Sequence, residues 1–152
     1  MAQPLKSPVG DIDQDSVTQF LQSFAMIHRN GNIDELMKLF SPDLITFDMM
    51  PPLQFVGKDA YRQTVERYFT QSFVFPVETE WRDLRTSIVG DLAICYGLYR
   101  IKGKFVDSGE VMECWLRTTL SLTRGNGKWL ITHVHNSVPV GENGQALMDL
   151  SP

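Results

Sequence analysis

The stretch Glu110–Pro139, EVMECWLRTTLSLTRGNGKWLITHVHNSVP, decides the fold of this chain. Two runs rich in aliphatic, aromatic and β-branched residues flank the segment Gly125–Gly127. Glycine and asparagine are favoured where a hairpin loop requires positive φ, so the stretch predicts a hairpin of two long antiparallel strands. A three-residue loop places Arg124 opposite Lys128 and fixes the register of the pairs beyond it.

That register divides the hairpin side chains between two faces, because residues directly opposite each other share a face of the sheet. Three cross-strand pairs are predicted on one face: Thr119 with His133, Arg117 with His135, and Trp115 with Ser137. The other face carries Leu116, Leu120, Leu122, Leu130, Val134 and Val138, with Asn136 among them. A four-residue loop is the alternative, and it would move both histidines onto the leucine face.

The composition is that of a globular domain with an acidic balance. The chain has 152 residues, of which 43% are hydrophobic and 21% charged, and its net charge is −4. That length accommodates one domain with a substantial core, and the negative charge argues against nucleic-acid binding. No apolar run approaches the ~18 residues of a membrane span, and we expect no membrane partner.

A cytoplasmic location is also expected. The first residues lack the apolar stretch of a signal peptide. The chain has two cysteines, Cys95 and Cys114, and both fall within predicted strands. Buried, reduced thiols are typical of cytoplasmic proteins.

Helical patterns precede the long strands. From Asp15 or Ser16 the apolar residues follow a helical stripe that ends near Gly31. Asn32 can cap a second helix, and a third begins near Lys58. Short strands are predicted at 44–47 and 53–56, and long strands at 77–89, 92–105, 110–124 and 128–138. We expect a flexible arm at 1–13, one domain at 14–140 and a polar tail at 141–152.

Several short segments identify a family resemblance. They are Leu39–Asp43, Phe47–Asp48, Pro51–Leu53, Gly57–Tyr61, Trp115–Arg117, Gly127–Trp129 and His133–Pro139. Across about residues 15–140 the chain resembles the SnoaL-like, ketosteroid-isomerase-like branch of the nuclear transport factor two-like superfamily. The resemblance implies an α+β, cone-shaped fold with three N-terminal helices packed on a strongly curved, mainly antiparallel mixed sheet. The superfamily holds isomerases, cyclases, epoxide hydrolases and domains that only bind or assemble, so the fold alone does not specify chemistry.

Asp48 is the candidate general base. The resemblance places it where similar ketosteroid isomerases keep their proton-abstracting aspartate. Met49, Met50 and two prolines follow it, and burial among such residues would raise the pKa of the carboxyl group, as a base needs. The alternative is an aspartate that begins a loop and accepts hydrogen bonds from backbone N–H groups.

Two other parts of the isomerase machinery have no counterpart in this chain. Phe24 falls where the similar isomerases have a tyrosine on their first helix, so that oxyanion donor is missing. Thr118 or Thr119 falls where they have a second acid. The resemblance therefore does not imply steroid isomerisation.

Trp115, Arg117, His133 and His135 form the second candidate site. An arginine and two imidazoles can bind an anionic carboxylate or enolate. The alternative is a homodimer interface, because interfaces are enriched in aromatic and arginine residues and superfamily relatives pair through the convex sheet face. In that case Trp115 and Ile131 would form an apolar patch that dimerisation covers. Metal binding by His133 and His135 is a third option. Zinc needs a third ligand, for which Glu113 is on the same predicted face and His28 lies on a distant helix, and no metal site is predicted.

Together these features predict a homodimeric domain whose apolar pocket holds a small, partly apolar ligand. Asn136, on the leucine face, would project into the cone and orient that ligand. As an enzyme the protein would be an isomerase or cyclase that needs no cofactor, with Asp48 as base; hydrolysis by an activated water is a further option. The alternative is a non-catalytic ligand-binding or assembly module of the same fold.

Overall fold

A computed structural model describes residues 11–152 of the chain. The three helices are α1 (Asp11–Asn30), α2 (Ile33–Met37) and α3 (Lys58–Val65), which follows the first two strands and continues into a π-helical turn at Glu66–Thr70. The strands are β1 (Phe40–Phe47), β2 (Phe55–Val56), β3 (Phe73–Val89), β4 (Leu92–Phe105), β5 (Val111–Gly125) and β6 (Lys128–Ser137).

The six strands form one sheet in the order β2-β1-β6-β5-β4-β3. β1 runs parallel to β6, and the other neighbouring pairs are antiparallel. Helix α1 packs against β3, and α3 packs against β1. The predicted α+β fold, with N-terminal helices on a mainly antiparallel mixed sheet, is confirmed.

The core lies between the helices and the inner face of the sheet, by which we mean the face turned towards α1. Phe24 and Leu120 are both buried, as the predicted helical stripe and leucine face require. The largest side chains with no appreciable exposure are Leu44, Leu120, Leu122, Ile131, Val17 and Val77. Burial of apolar surface on this scale is the main driving force for folding.

Helix boundaries follow capping chemistry. The Asn32 side-chain oxygen accepts a hydrogen bond from the Glu35 N–H at 3.2 Å and caps α2, as predicted. Helix α1 begins at Asp11 rather than at Asp15 or Ser16. Most of the arm expected at 1–13 lies outside the described residues.

The loop between β5 and β6 is one residue shorter than predicted. Gly125 pairs with Lys128, and Asn126 and Gly127 have φ of 51° and 73°. Two central residues with positive φ are typical of a type I′ turn, whose twist matches that of the two strands. The three-residue loop that would pair Arg124 with Lys128 is therefore wrong.

A β-bulge in β6 restores the predicted facing of the histidines. Leu122 pairs with Ile131 and Ser121 with His133, so Thr132 is the extra residue. The shorter turn and the bulge together shift the partner of His133 from the predicted Thr119 to Ser121, two residues away. A shift of two residues leaves every side chain on its original face.

The shorter turn reverses the facing of the residues that lie between it and the bulge. Ile131, expected on the exposed patch, is fully buried, and Leu130, expected on the leucine face, is partly exposed. Trp129 is buried beside Ile131. Arg117 pairs with Ser137 and not with His135, because the register differs from the predicted one.

Between residues 11 and 152, none of the helices is long and apolar enough to cross a membrane.

Candidate functional site

The helices and the inner face of the sheet enclose a cavity of about 410 Å³. One wall comes from α1, α3 and the π-helical turn, and the other from β4, β5 and β6. The apolar lining includes Phe24, Leu36, Phe40, Met49, Met50, Val65, Phe69, Phe73, Ile101, Met112, Leu116 and Leu120. Met148 adds to it from the C-terminal tail. A volume of this size suits a small, mostly apolar molecule.

Asp48 lines this cavity directly after the end of β1. Its Oδ1 accepts a hydrogen bond from the Met49 N–H at 2.7 Å, and the side chains of Tyr61 and Asn136 lie near enough to favour the ionised form of the carboxyl group. Burial raises the pKa of Asp48, and the Met49 N–H, Tyr61 and Asn136 lower it by a smaller amount. The net effect is a carboxylate that holds a proton more tightly than a free aspartate.

Tyr61 and Asn136 are the side chains beside the Asp48 carboxylate that can donate a hydrogen bond to it. Burial, with the Asp48 charge nearby, raises the pKa of Tyr61 well above its usual value, so its hydroxyl keeps its proton and donates. The Thr118 hydroxyl donates to Asn136 Oδ1 at 2.8 Å. With its oxygen occupied by Thr118, Asn136 has its NH₂ group available to donate to Asp48.

A second polar group, the pair His28 and Tyr99, lines the same cavity. His28 Nδ1 lies 2.9 Å from the Tyr99 hydroxyl oxygen. The imidazole stacks on Phe69 with 4.2 Å between ring centroids and on Phe24 with 5.6 Å. Burial lowers the pKa of His28 from 6.5 to about 4, so the ring is neutral at pH 7.

Asp48 carries the one full charge in the cavity wall formed by the described residues. No lysine or arginine side chain lines that wall. Because an unpaired anion would be costly to transfer into such a cavity, the site suits an uncharged ligand better than a carboxylate or phosphate.

Trp115, Arg117, His133 and His135 do not line the cavity. They lie on the outer face, which is the sheet face turned away from the helices, because β-strand side chains alternate between faces. Arg117 Nε donates to Ser137 Oγ at 3.1 Å. The structure thus separates Asn136, which lies beside Asp48, from the other four predicted binding residues.

The surroundings of the outer-face residues are aromatic and polar. His133 Nδ1 donates to the Ile45 carbonyl at 2.8 Å, and its ring lies 4.8 Å from that of Phe47. Trp115 is partly covered by Arg82, whose guanidinium carbon lies 4.8 Å from the ring centroid. Across residues 11–152, no three histidine, cysteine, aspartate or glutamate side chains come together as a metal site.

An α+β cone with helices packed on a curved mixed sheet defines a class of domain that recurs in many solved structures. The chain belongs to the SnoaL-like domain family, whose sequence profile matches residues 17–141. Its fold is that of the nuclear transport factor two-like superfamily, as the sequence resemblance implies. No curated protein sequence matches the chain.

Solved structures share this fold over most of their length. A nuclear transport factor two-like protein of unknown function from Pseudomonas putida is 28% identical, with a TM-score of 0.81 over 94% of this chain and 99% of that one. A superfamily protein from Salmonella enterica is 16% identical, with a TM-score of 0.73 over 85% and 92%. A ketosteroid isomerase-like protein from Erwinia carotovora is 14% identical, with a TM-score of 0.70 over 86% and 100%.

Sequence reasoning missed His28, Tyr61 and Tyr99 as cavity residues with polar contacts. A signal for His28 was present, because it follows Phe24 by one helical turn and continues the buried stripe of α1. Tyr61 lies in the buried stripe of α3, and the helical periodicity predicts only a packing role for it. The residues that contact these three side chains lie elsewhere in the sequence, so local sequence patterns do not predict the contacts.

Proposed function

We propose that the protein is an enzyme of acid–base chemistry that needs no cofactor, an isomerase or cyclase acting on a small, partly apolar substrate. Asp48 is the general base. The observation that carries this proposal is the buried Asp48 carboxylate, which has Tyr61 and Asn136 beside it in a mostly apolar cavity. A ketosteroid isomerase-like protein shares the fold, and this supports the assignment at the level of architecture only.

The proposed reaction begins with a carbon acid. The ionised Asp48 takes a proton from a carbon that lies between a carbonyl group and a C=C bond. The electron pair of the broken C–H bond forms a new C=C bond, and the π pair of the carbonyl moves onto its oxygen, which gives a dienolate. Isomerisation is complete when the carbonyl re-forms and the far carbon of the original double bond takes the proton back from Asp48. A raised carboxyl pKa makes this proton transfer easier, because it reduces the gap in acidity between base and carbon acid.

The pKa of Asp48 tests whether this residue can act as a base. Titration followed by NMR of the ¹³C-labelled carboxyl carbon is expected to give a value above the ordinary ~3.9. The Tyr61→Phe variant should raise the value further, because Tyr61 donates a hydrogen bond that favours the ionised form. A wild-type pKa at or below the ordinary value would contradict the assignment of Asp48 as the base.

Hydrogen–deuterium exchange tests whether the protein removes a proton from carbon. Small aryl methyl ketones, with 2-acetylnaphthalene as the first probe, are incubated with the protein in D₂O. We expect the protein to accelerate exchange of the methyl protons for deuterium, measured by loss of their NMR signal. Exchange no faster than in protein-free buffer across the set of ketones would favour the non-catalytic alternative.

That alternative is a ligand-binding or assembly module, and the outer face is the observation that favours assembly. Phe47, Ile94 and Tyr96 each expose more than a third of their surface there. Tyr96, Thr119, His135 and Phe47 form one row across four strands, because each is the direct partner of the next. Exposed apolar groups in a contiguous row are typical of an interface, and we propose a homodimer through this face.

The Arg117→Ala variant separates the interface from a binding site. If Arg117 is buried between two copies, its truncation should weaken dimerisation by ~2 kcal/mol or more. Sedimentation at micromolar concentration should then show a shift towards monomer, with probe binding in the cavity unchanged. Arg67→Ala, which removes an exposed arginine from the helical side, is the matched control. An Arg117→Ala protein that stays dimeric but loses the probe would make the cluster a binding site.

We also propose a cytoplasmic location. Cys95 and Cys114 are buried free thiols, and burial raises the pKa of both, which keeps them protonated and unreactive.

A further inference from the structure

We propose that His28 donates a hydrogen bond from its Nε2–H to a carbonyl or hydroxyl oxygen of an uncharged ligand, and that Tyr99 is the positioning residue that fixes this proton on Nε2. The inference rests on the proposed function, because it assigns a second group to the same cavity. His28 would then stabilise the oxygen on which charge develops when Asp48 removes a proton.

The direction of the hydrogen bond between His28 and Tyr99 follows from their chemistry. A phenol O–H is a better donor than an imidazole N–H, and an imidazole nitrogen is a better acceptor than a phenol oxygen. Burial raises the pKa of Tyr99, so the phenol keeps its proton. Across the 2.9 Å contact, Tyr99 therefore donates to His28 Nδ1, and the imidazole proton lies on Nε2.

The orientation of the imidazole is fixed by aromatic packing. His28 lies between rings of α1, the π-helical turn and β4: its centroid is 5.6 Å from Phe24, 4.2 Å from Phe69 and 5.7 Å from Tyr99. Nε2 has no hydrogen-bond partner among residues 11–152, although His28 lines the cavity. A donor that is preoriented and unpaired in an apolar wall is suited to a ligand oxygen.

The position of His28 explains how the cavity can act without a tyrosine at residue 24. Phe24 contributes only an apolar ring there, and His28 lies one helical turn further along the same face of α1. The neutral state of the imidazole is suited to this role, because a neutral donor stabilises an oxyanion without introducing a buried positive charge.

The tautomer of His28 is the first test and requires no ligand. In ¹⁵N NMR of the full-length protein at pH 7, we expect the His28 ring to show a protonated Nε2 and an unprotonated Nδ1. A proton on Nδ1 would make Nε2 an acceptor and would overturn the proposal.

Two probes of the same shape test the hydrogen bond to the ligand. 2-Acetylnaphthalene has a carbonyl oxygen where 2-isopropenylnaphthalene has a CH₂ group. We expect His28→Phe, which retains an aromatic ring, to reduce the preference for the ketone over the hydrocarbon roughly fivefold to tenfold, since one net hydrogen bond is lost. Thr18→Val, which removes an exposed hydroxyl from the same helix α1 and does not line the cavity, is the control and should leave the preference unchanged.

The carbonyl stretch of the bound ketone provides a readout that altered packing would not reproduce. Infrared spectra should show this band at lower wavenumber in the wild type than in His28→Phe. Tyr99→Phe, which keeps the imidazole but removes the group that fixes its tautomer, should give an intermediate position. If the band is the same in all three proteins, if the ketone preference changes less than twofold, or if neither probe binds the wild type, the proposal is wrong.

These measurements do not depend on turnover. A shifted carbonyl band without deuterium exchange would refute Asp48 as the base and leave the assignment of His28 intact. Exchange that is lost in an Asp48 variant but unaffected in His28→Phe would support Asp48 as the base and refute the assignment of His28.

Discussion

Replacing Asp48 with asparagine is expected to slow deuterium exchange of a bound aryl ketone by a factor of about 10² to 10⁴, the usual contribution of a general base. An asparagine side chain has nearly the same size as aspartate, and its oxygen can still accept hydrogen bonds from the Met49 N–H and from Tyr61. It cannot take up a proton from carbon. The rate of loss of the methyl proton signal in D₂O measures the effect.

Asp59→Asn is the matched control for this experiment. Asp59 is exposed in the first turn of α3, two residues before Tyr61, and its replacement should leave the exchange rate within about twofold. An Asp48→Asn protein that retains most of the wild-type rate would show that another group abstracts the proton. The ligand affinity of the variant should stay close to that of the wild type, because the apolar lining is unchanged.

The pH dependence of this activity follows from the direction of the Asp48 pKa shift. The base acts only when ionised, so the rate should rise as the pH increases through the raised pKa of Asp48. Stability has the opposite dependence: a carboxyl pKa that is higher in the folded state means that folding is favoured below the unfolded pKa and weakened above the folded one. At neutral pH the Asp48→Asn protein should therefore be more stable than the wild type, a trade-off that is common at functional sites.

The order of the elements and the facing of the hairpin could be predicted from sequence, because both depend on local periodicity. The register could not. A type I′ turn at Asn126 and Gly127 and a bulge at Thr132 each shift it by one residue. The two shifts together leave the histidines on the predicted face, and the residues between turn and bulge, Leu130 and Ile131 among them, are reversed.

The candidate site was only partly accessible from sequence for a related reason. Asp48 is predicted from the family resemblance together with its apolar neighbours, and Asn136 from alternation along β6. The contact between His28 and Tyr99 joins residues 71 positions apart, and it depends on how α1 crosses the sheet. Periodicity places His28 on the buried side of α1, but it does not indicate which side chain its ring nitrogen meets.

Truncating Leu120 to alanine is expected to lower the free energy of unfolding by roughly 2–5 kcal/mol, the range for buried leucines. Leu120 has no exposed surface, and its direct cross-strand partners are Cys95 and Val134, which are also buried. Urea denaturation followed by tryptophan fluorescence measures the change. Leu92→Ala, at a leucine that is 47% exposed on the same sheet, is the control and should cost less than ~1 kcal/mol.

The location of Leu120 determines how large the decrease in the free energy of unfolding should be within that range. Leu120 lines the cavity, so its removal would enlarge a space that the surrounding helices already hold open. A site that cannot collapse retains the whole added volume, and the cost of a truncation increases with the residual volume. We therefore expect a loss in the upper half of the range, together with tighter binding of probes larger than 2-acetylnaphthalene. A loss below ~1 kcal/mol would mean that Leu120 does not face the core, and the assignment of the inner face would be wrong.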